Sequence, residues 1–181
     1  MQFRNIPSLS FVAYLVLTAT VQALPAAAGS PFPATGPVTP GTRATLRGGK
    51  ALAPAQAPLE VKRAIWAANE LTSKPYRYGG GHRSFKDSGY DCSGTISYAL
   101  GGAGVVKSPM SSSEFRRFGA RGRGKWITIY ARNGHTFAVI AGLRLDTTAW
   151  NTMRRDRTWA PRWQPTPRAP RGFVARHPAG L

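Results

Sequence analysis

Between Trp126 and Thr147 the chain reads WITIYARNGHTFAVIAGLRLDT, and this run restricts the fold more than any other. Trp126-Ile127-Thr128-Ile129-Tyr130 has the β-branched and aromatic content of a strand. Asn133-Gly134 is a strong hairpin signal, because a tight type I′ turn needs residues that tolerate positive φ. The returning strand begins at His135, and Gly142 permits a second tight turn into Leu143 to Thr147. Three short antiparallel strands are therefore expected. With a two-residue turn at Ala141-Gly142, Ile140 pairs with Leu143, Phe137 with Asp146 and His135 with Thr148. Side chains alternate with period two, so Asp146 falls diagonal to His135 on one face. A three-residue turn would put Thr147 there instead.

Upstream the chain changes character twice. Met1 to Ala28 reads as a secretory signal, with Arg4 in the n-region and an apolar run of 11 residues from Phe11 to Val21. Either Val21-Gln22-Ala23 or Ala26-Ala27-Ala28 supplies a small-residue cleavage site. The run is well short of the ~20 residues that span a bilayer, so cleavage is favoured over a membrane anchor. Residues 29–58 hold Pro31, Pro33, Pro37, Pro40, Pro54 and Pro58 among Ala, Gly and Thr, and read as a Pro/Ala-rich linker too poor in large apolar groups to bury a core. The folded part is then 59–181, with 123 residues around one modest core.

Within it, Pro58 suits a first helical position, and Val61, Ala64, Ile65, Ala68 and Leu71 recur at helical spacing until Pro75. A loop rich in glycine and tyrosine follows from Pro75 to His82. A second helix is expected from Cys92 to about Leu100, capped by Asp91 and stopped by Gly101-Gly102. Beyond Ala149 the chain carries Arg154, Arg155, Arg157, Arg162, Arg168, Arg171 and Arg176, and reads as an irregular basic tail with one strand at Gly172 to Ala175.

The one Cys of the chain excludes an intramolecular disulfide, and with His only at 82, 135 and 177 no zinc module or haem-attachment motif is available. Cys92 falls at a helix start, where the dipole favours thiolate and lowers a thiol pKa of about 8.5 toward neutrality. The plainer account is a small buried hydrophobe. A thiolate nucleophile also needs a base and a group to orient that base. His135, on a strand start just after a hairpin, is the best candidate base, with His82 and His177 as rivals. Asp146 is the orienting group that the strand register offers.

Pro75-Tyr76-Arg77-Tyr78-Gly79-Gly80, then Asp91-Cys92-Ser93-Gly94, then Asn133-Gly134-His135 leading a strand, together resemble the NlpC-type family of papain-like cell-wall peptidases across residues 59–148. The resemblance implies a papain-like α+β fold, in which a nucleophile-bearing helix packs on a small antiparallel sheet. It implies hydrolysis of amide bonds in peptidoglycan stem peptides, often the bond from D-γ-glutamate to a diamino acid. Cys92 takes the nucleophile's position, His135 that of base and then acid, and Asp146 or Thr147 that of the third residue, commonly His in the family. Tyr76 matches an active-site tyrosine, and Asp91 and Ser93 flank the thiol where relatives touch substrate. Packing under the glycine loop is the plainer account of Tyr78. Gly124-Lys125-Trp126 stands where the family often carries a Gly-Asp pair. No metal or organic cofactor is required.

Lys and Arg number 25 against 7 Asp and Glu, a formal net charge of +18. Such a surplus draws a polyanion. For an exported protein, in periplasm or cell wall, the expected partners are peptidoglycan and anionic envelope polymers or lipid headgroups rather than nucleic acid, with the protein acting as a monomer. Three other functions compete: a non-catalytic cationic envelope-binding protein, a thiol acyltransferase using the same residues, and a basic nucleic-acid binder through Arg116, Arg117, Arg121 and Arg123.

Overall fold

Pro58 stands just before the first helix, α1 (Leu59–Glu70), in the N-cap position rather than inside it, at φ −51° and ψ 154°. The expected apolar positions Val61, Ala64, Ile65 and Ala68 are all buried, and Trp66, Ala67 and Asn69 are buried with them. The computed structural model describes residues 30–148, 161–165 and 170–181. The expected signal segment 1–28, and Arg154, Arg155, Arg157 and Arg168 of the basic tail, lie outside the described residues.

The second helix, α2 (Cys92–Gly102), is buried on every side from Cys92 to Leu100. It runs through Gly101-Gly102 instead of stopping there. A Cβ on Gly102 would come within 2.4 Å of the Ala67 Cβ, and one on Gly101 within 2.8 Å of the Phe32 ring. These glycines let α2 lie close to its neighbours, and the chain turns out of the helix at Gly104, where φ is +72°. A short third helix, α3 (Ser112–Phe115), opens with a reciprocal capping box between Ser111 and Glu114.

The main sheet has six strands: β4 (Ala120–Arg121), β5 (Ile127–Arg132), β6 (His135–Ile140), β7 (Leu143–Asp146), β8 (Arg162–Gln164) and β9 (Val174–His177), in the order β4-β9-β5-β6-β7-β8. Every pairing in it is antiparallel. The expected register holds, with Ile140 opposite Leu143 and Ala138 opposite Leu145. Ala141 at φ 47° and Gly142 at φ 92° make the two-residue turn. Ile127, Ile129, Ala138, Ile140, Leu143 and Leu145 form one apolar face that shares a core with Ile65, Ile96 and Leu100 of the helices. The fold is thus α+β, a buried helix bearing Cys92 packed on a small antiparallel sheet.

Two expectations are corrected. Residues 30–58 are not a bare linker: β1 (Val38–Thr39), β2 (Thr45–Arg47) and β3 (Lys50–Pro54) form a second sheet in the order β1-β3-β2. Ala51 and Ala53 are fully buried against the core. Asn69 of α1 clamps β3 at both backbone groups of Ala51, donating to its carbonyl at 2.8 Å and accepting from its N–H at 2.9 Å. Trp66 Nε1 donates to the Pro37 carbonyl, and Tyr98 donates to that of Pro31. The anchoring comes from small side chains and backbone hydrogen bonds, which a search for large apolar groups does not register. The tail, likewise, holds more than the one strand expected at Gly172 to Ala175: that strand is observed as β9, shifted to Val174–His177 and inserted between β4 and β5, and β8 is added at one edge of the sheet.

Candidate active site

Cys92 occupies the first position of α2 and is 8% exposed. Asp91 caps the helix by accepting from the Gly94 N–H at 2.8 Å, as its position before the helix led us to expect. Its carboxylate does more than cap. It accepts from the Gly79 N–H at 3.2 Å, from Ser93 Oγ at 3.1 Å and from His82 Nε2 at 2.9 Å. Ser93 Oγ in turn lies 2.9 Å from His82 Nε2. Both Asp91 and Ser93 are buried, at 5% and 3% exposure. Their side chains tie the glycine loop to the helix start.

The same loop presses its backbone on the helix. A Cβ on Gly94 would lie 2.1 Å from the Gly80 carbonyl oxygen, and one on Gly81 would lie 3.0 Å from the Gly94 Cα. Glycine at 94 and 81 permits this approach, whereas Gly80 is required by the nearby Gly89 carbonyl, 2.3 Å from where its Cβ would stand, and Gly79 by a φ of +72°.

His135, the first residue of β6, is buried, and its Nε2 lies 3.0 Å from Asp146 Oδ1. Asp146 is almost wholly buried, accepts also from the Thr148 N–H and hydroxyl at 3.0 and 2.9 Å, and has Arg144 Nε at 3.8 Å. Thr147, the other candidate that turn geometry left open, is buried on the opposite face by strand alternation, and its hydroxyl finds no partner among the described residues. The register therefore brings Asp146, not Thr147, to the imidazole.

With Nε2 committed to Asp146, Nδ1 is the ring atom left to meet Cys92. Burial by itself lowers the His135 pKa, but hydrogen bonds to Asp146 and Cys92, and their charges, outweigh it and push the value up to about 9. Burial likewise raises the Asp146 carboxyl, yet the hydrogen bonds from His135 and Thr148 hold it below its ordinary value. The thiol, the imidazole and the carboxylate thus form one connected line from the helix start to strand β7.

Tyr76, half-buried and bridged to Tyr90, has its phenol pKa raised by burial, then by the charges of Cys92 and Asp91. It stands within electrostatic reach of the thiol. Tyr78 does not pack under the glycine loop as expected; at 90% exposure it points to solvent. Of the rival histidines, His82 holds Asp91, and His177 Nδ1 sits 3.2 Å from the Gly122 carbonyl on the outer part of the sheet. Among the described residues no group of three or more His, Cys, Asp and Glu is placed to hold a metal ion.

Sequence reading missed Arg144 and Thr148 as supports of Asp146, although their period-two placement on its face was available. It also missed His82 and Gly79 as partners of Asp91, for which no sequence signal existed.

No family model matches the sequence, and no curated protein matches it. Among solved structures, the peptidoglycan hydrolase RipB from Mycobacterium tuberculosis is similar at 23% identity and a TM-score of 0.48, over 65% of this chain and 64% of that one.

Proposed function

We propose that the protein is an exported cysteine endopeptidase that hydrolyses amide bonds in peptidoglycan stem peptides. The observation that carries the reading is the line of three side chains: Cys92 at a helix start, His135 in contact with it, and Asp146 behind His135 at 3.0 Å. That order of nucleophile, base and orienting carboxylate is the arrangement a thiol acyl-transfer mechanism needs. The substrate class is supported by the PYRYGG, DCSG and NGH motifs and by a surplus of basic residues suited to an anionic wall. Residues 1–28 supply the export signal in this reading.

The mechanism follows from the placements. The Cys92 thiolate attacks the scissile carbonyl. Asp91 takes up the Gly94 N–H, so the Cys92 N–H, at a position a helix cannot satisfy internally, is available to the developing oxyanion. His135, held protonated, gives its proton to the leaving amine and a thioester remains on Cys92. Water, deprotonated by the now neutral His135, attacks the thioester carbonyl, and the acid product leaves as the thiolate and imidazolium re-form. Asp146 keeps the ring in one orientation throughout. Tyr76 stands where it can contact substrate, while Asp91 and Ser93 act as positioning residues.

The test is mass spectrometry of muropeptides after incubating purified peptidoglycan with the secreted form and with Cys92→Ala. New peptide fragments that vanish in the variant are expected. Fragments joined to a new amine would make the protein an acyltransferase, and an unchanged muropeptide profile would overturn catalysis altogether.

A further inference from the structure

We propose that Gln164, on the edge strand β8 that the tail adds to the sheet, is a positioning residue for the candidate active site, holding Arg144 and Thr148 against the Asp146 carboxylate so that one oxygen stays on His135. The inference rests on the peptidase reading above and adds to that site a residue from the far edge of the sheet.

The terminal torsion of an aspartate is broad, so strand register brings Asp146 to the imidazole without deciding how its carboxylate is turned. Its neighbours decide that. Oδ1 faces His135 Nε2 at 3.0 Å and also accepts from the Thr148 N–H at 3.0 Å. Oδ2 accepts from the Thr148 hydroxyl at 2.9 Å and has Arg144 Nε at 3.8 Å. The carboxylate is thus engaged on both oxygens, but neither support fixes itself. Thr148 lies beyond the end of β7, and Arg144 carries a long side chain with many rotamers to lose.

Gln164 ties both down. It stands directly opposite Arg144 across the β7–β8 ladder, so the two side chains share the face that carries Asp146. Its Oε1 accepts from Arg144 Nη2, and its Nε2 donates to the Thr148 carbonyl at 3.0 Å. Asp146, Arg144, Gln164 and Thr148 therefore close a ring. Gln164 and Arg144 are buried, at 8% and 4% exposure, where leaving either end of an amide without its partner is costly. Only an amide serves here, because a carboxylate at 164 could not donate to Thr148 and an ammonium could not accept from Arg144. Among the described residues, the charged groups that face the His135–Asp146 pair come from four elements. Cys92 of α2 and Arg132 of β5 face His135, with Arg132 in one row with His135 and Phe173. Arg144 of β7, and Arg162 opposite it on β8, face Asp146. Gln164 is neutral, so replacing it with an apolar residue changes how Asp146 is held without adding or removing a charge.

The test reads two quantities: kcat and KM on the tripeptide L-Ala-γ-D-Glu-L-Lys, and the NMR titration midpoint of the His135 imidazole. It compares wild type with Gln164→Met, Arg144→Lys, the double variant, and Val61→Ala, which opens a cavity at a fully buried position of α1. Gln164→Met should lower kcat about three- to tenfold, the scale of one hydrogen bond, with KM unchanged. The His135 midpoint should fall with it as Asp146 loses its fixed orientation. Arg144→Lys keeps the charge but not the planar fork and should act alike. The double variant should be little worse than the worse single, because both changes cut one chain of contacts. Val61→Ala should lower thermal stability and leave both readings in place. A His135 midpoint that stays at its wild-type value in Gln164→Met, a loss carried by KM alone, or an equal change in Val61→Ala makes Gln164 merely structural and overturns the inference. Additive losses in the double variant overturn it too, since Gln164 then does not act through Arg144. If wild type leaves the tripeptide uncut, the peptidase reading fails for this linkage, and the titration midpoints still decide whether Gln164 positions Asp146.

Discussion

The two halves of the candidate site are held in place by different physics. The thiol half is a helix start fixed by a buried polar hub, Asp91, and by backbone contact between Gly94 and the glycine loop. The imidazole half is a pair of hairpins whose hydrogen-bond ladder brings Asp146 to His135 with no special loop chemistry beyond two tight turns. A ladder tolerates side-chain change as long as the register survives, because its bonds are backbone bonds. A polar hub does not, because each lost partner leaves a buried group unsatisfied. Damage to the thiol half should therefore disturb the packing of the helix start and activity together, and damage to the imidazole half should cost activity while the ladder survives, with a stability loss confined to the buried His135–Asp146 pair.

His135→Ala is the largest expected effect, a loss of about 10²–10⁴-fold in kcat, the range for a general acid–base group. Circular dichroism should show the fold kept, with a stability loss no larger than that of the buried His135–Asp146 pair, and loss of the folded state would break the comparison. Gly94→Ala should do the opposite kind of damage. Its methyl would meet the Gly80 carbonyl, so unfolding free energy should drop by about 2–3 kcal/mol with activity falling in parallel, as seen in denaturant melts and cleavage assays on one preparation. Asp91→Ala removes a cap and three further hydrogen bonds, and about 2 kcal/mol should be lost. Asp91→Asn should recover part of it.

The pH dependence sharpens the imidazole half. His135 is raised from 6.5 to about 9 in the folded state. Its contribution to stability is thus complete below pH 6.5 and is lost as pH rises toward about 9. Cleavage should fall over the same upper limb as the imidazolium loses its proton. Asp146→Asn removes one of the charges that raise it, so the alkaline limb should move to lower pH, with kcat reduced by about tenfold. A limb that stays in place would show that Asp146 does not tune His135. The smallest effect is expected from His82→Gln, because Ser93 and two backbone N–H groups still serve Asp91; a change below about 1 kcal/mol in melting experiments is the expected result.

The contrast between the halves also explains what could be read in advance. Asn133-Gly134 and Ala141-Gly142 encode turn lengths locally, and turn length plus alternation is enough to place Asp146 on the face of His135. The Asp91 hub was only partly legible. A helix cap is a local rule, and the cap was expected. The bonds from Gly79 and His82 close a loop of nine to twelve residues, and nothing in Gly79 or His82 marks them for it. Residues 30–58 were misread for a related reason. Their burial depends on Asn69 and Trp66 of α1, and alanines count as weakly apolar until a narrow gap is there to receive them. Gly101-Gly102 read as a helix stop because glycine is a poor helix former, yet tertiary contact with Ala67 and Phe32 overrides that preference.

By itself, then, the sequence determined the pieces whose geometry is short-range: the first helix, the helix start beneath Cys92, the two tight turns and the register that aligns His135 with Asp146. Tertiary structure alone decided that the N-terminal strands belong to the core, that the tail supplies β8 and inserts β9 between β4 and β5, and that Arg132, His135 and Phe173 share a row. Those outcomes are contacts between residues distant in the chain, whose free energy depends on shape and on partners supplied elsewhere. No local propensity carries that information.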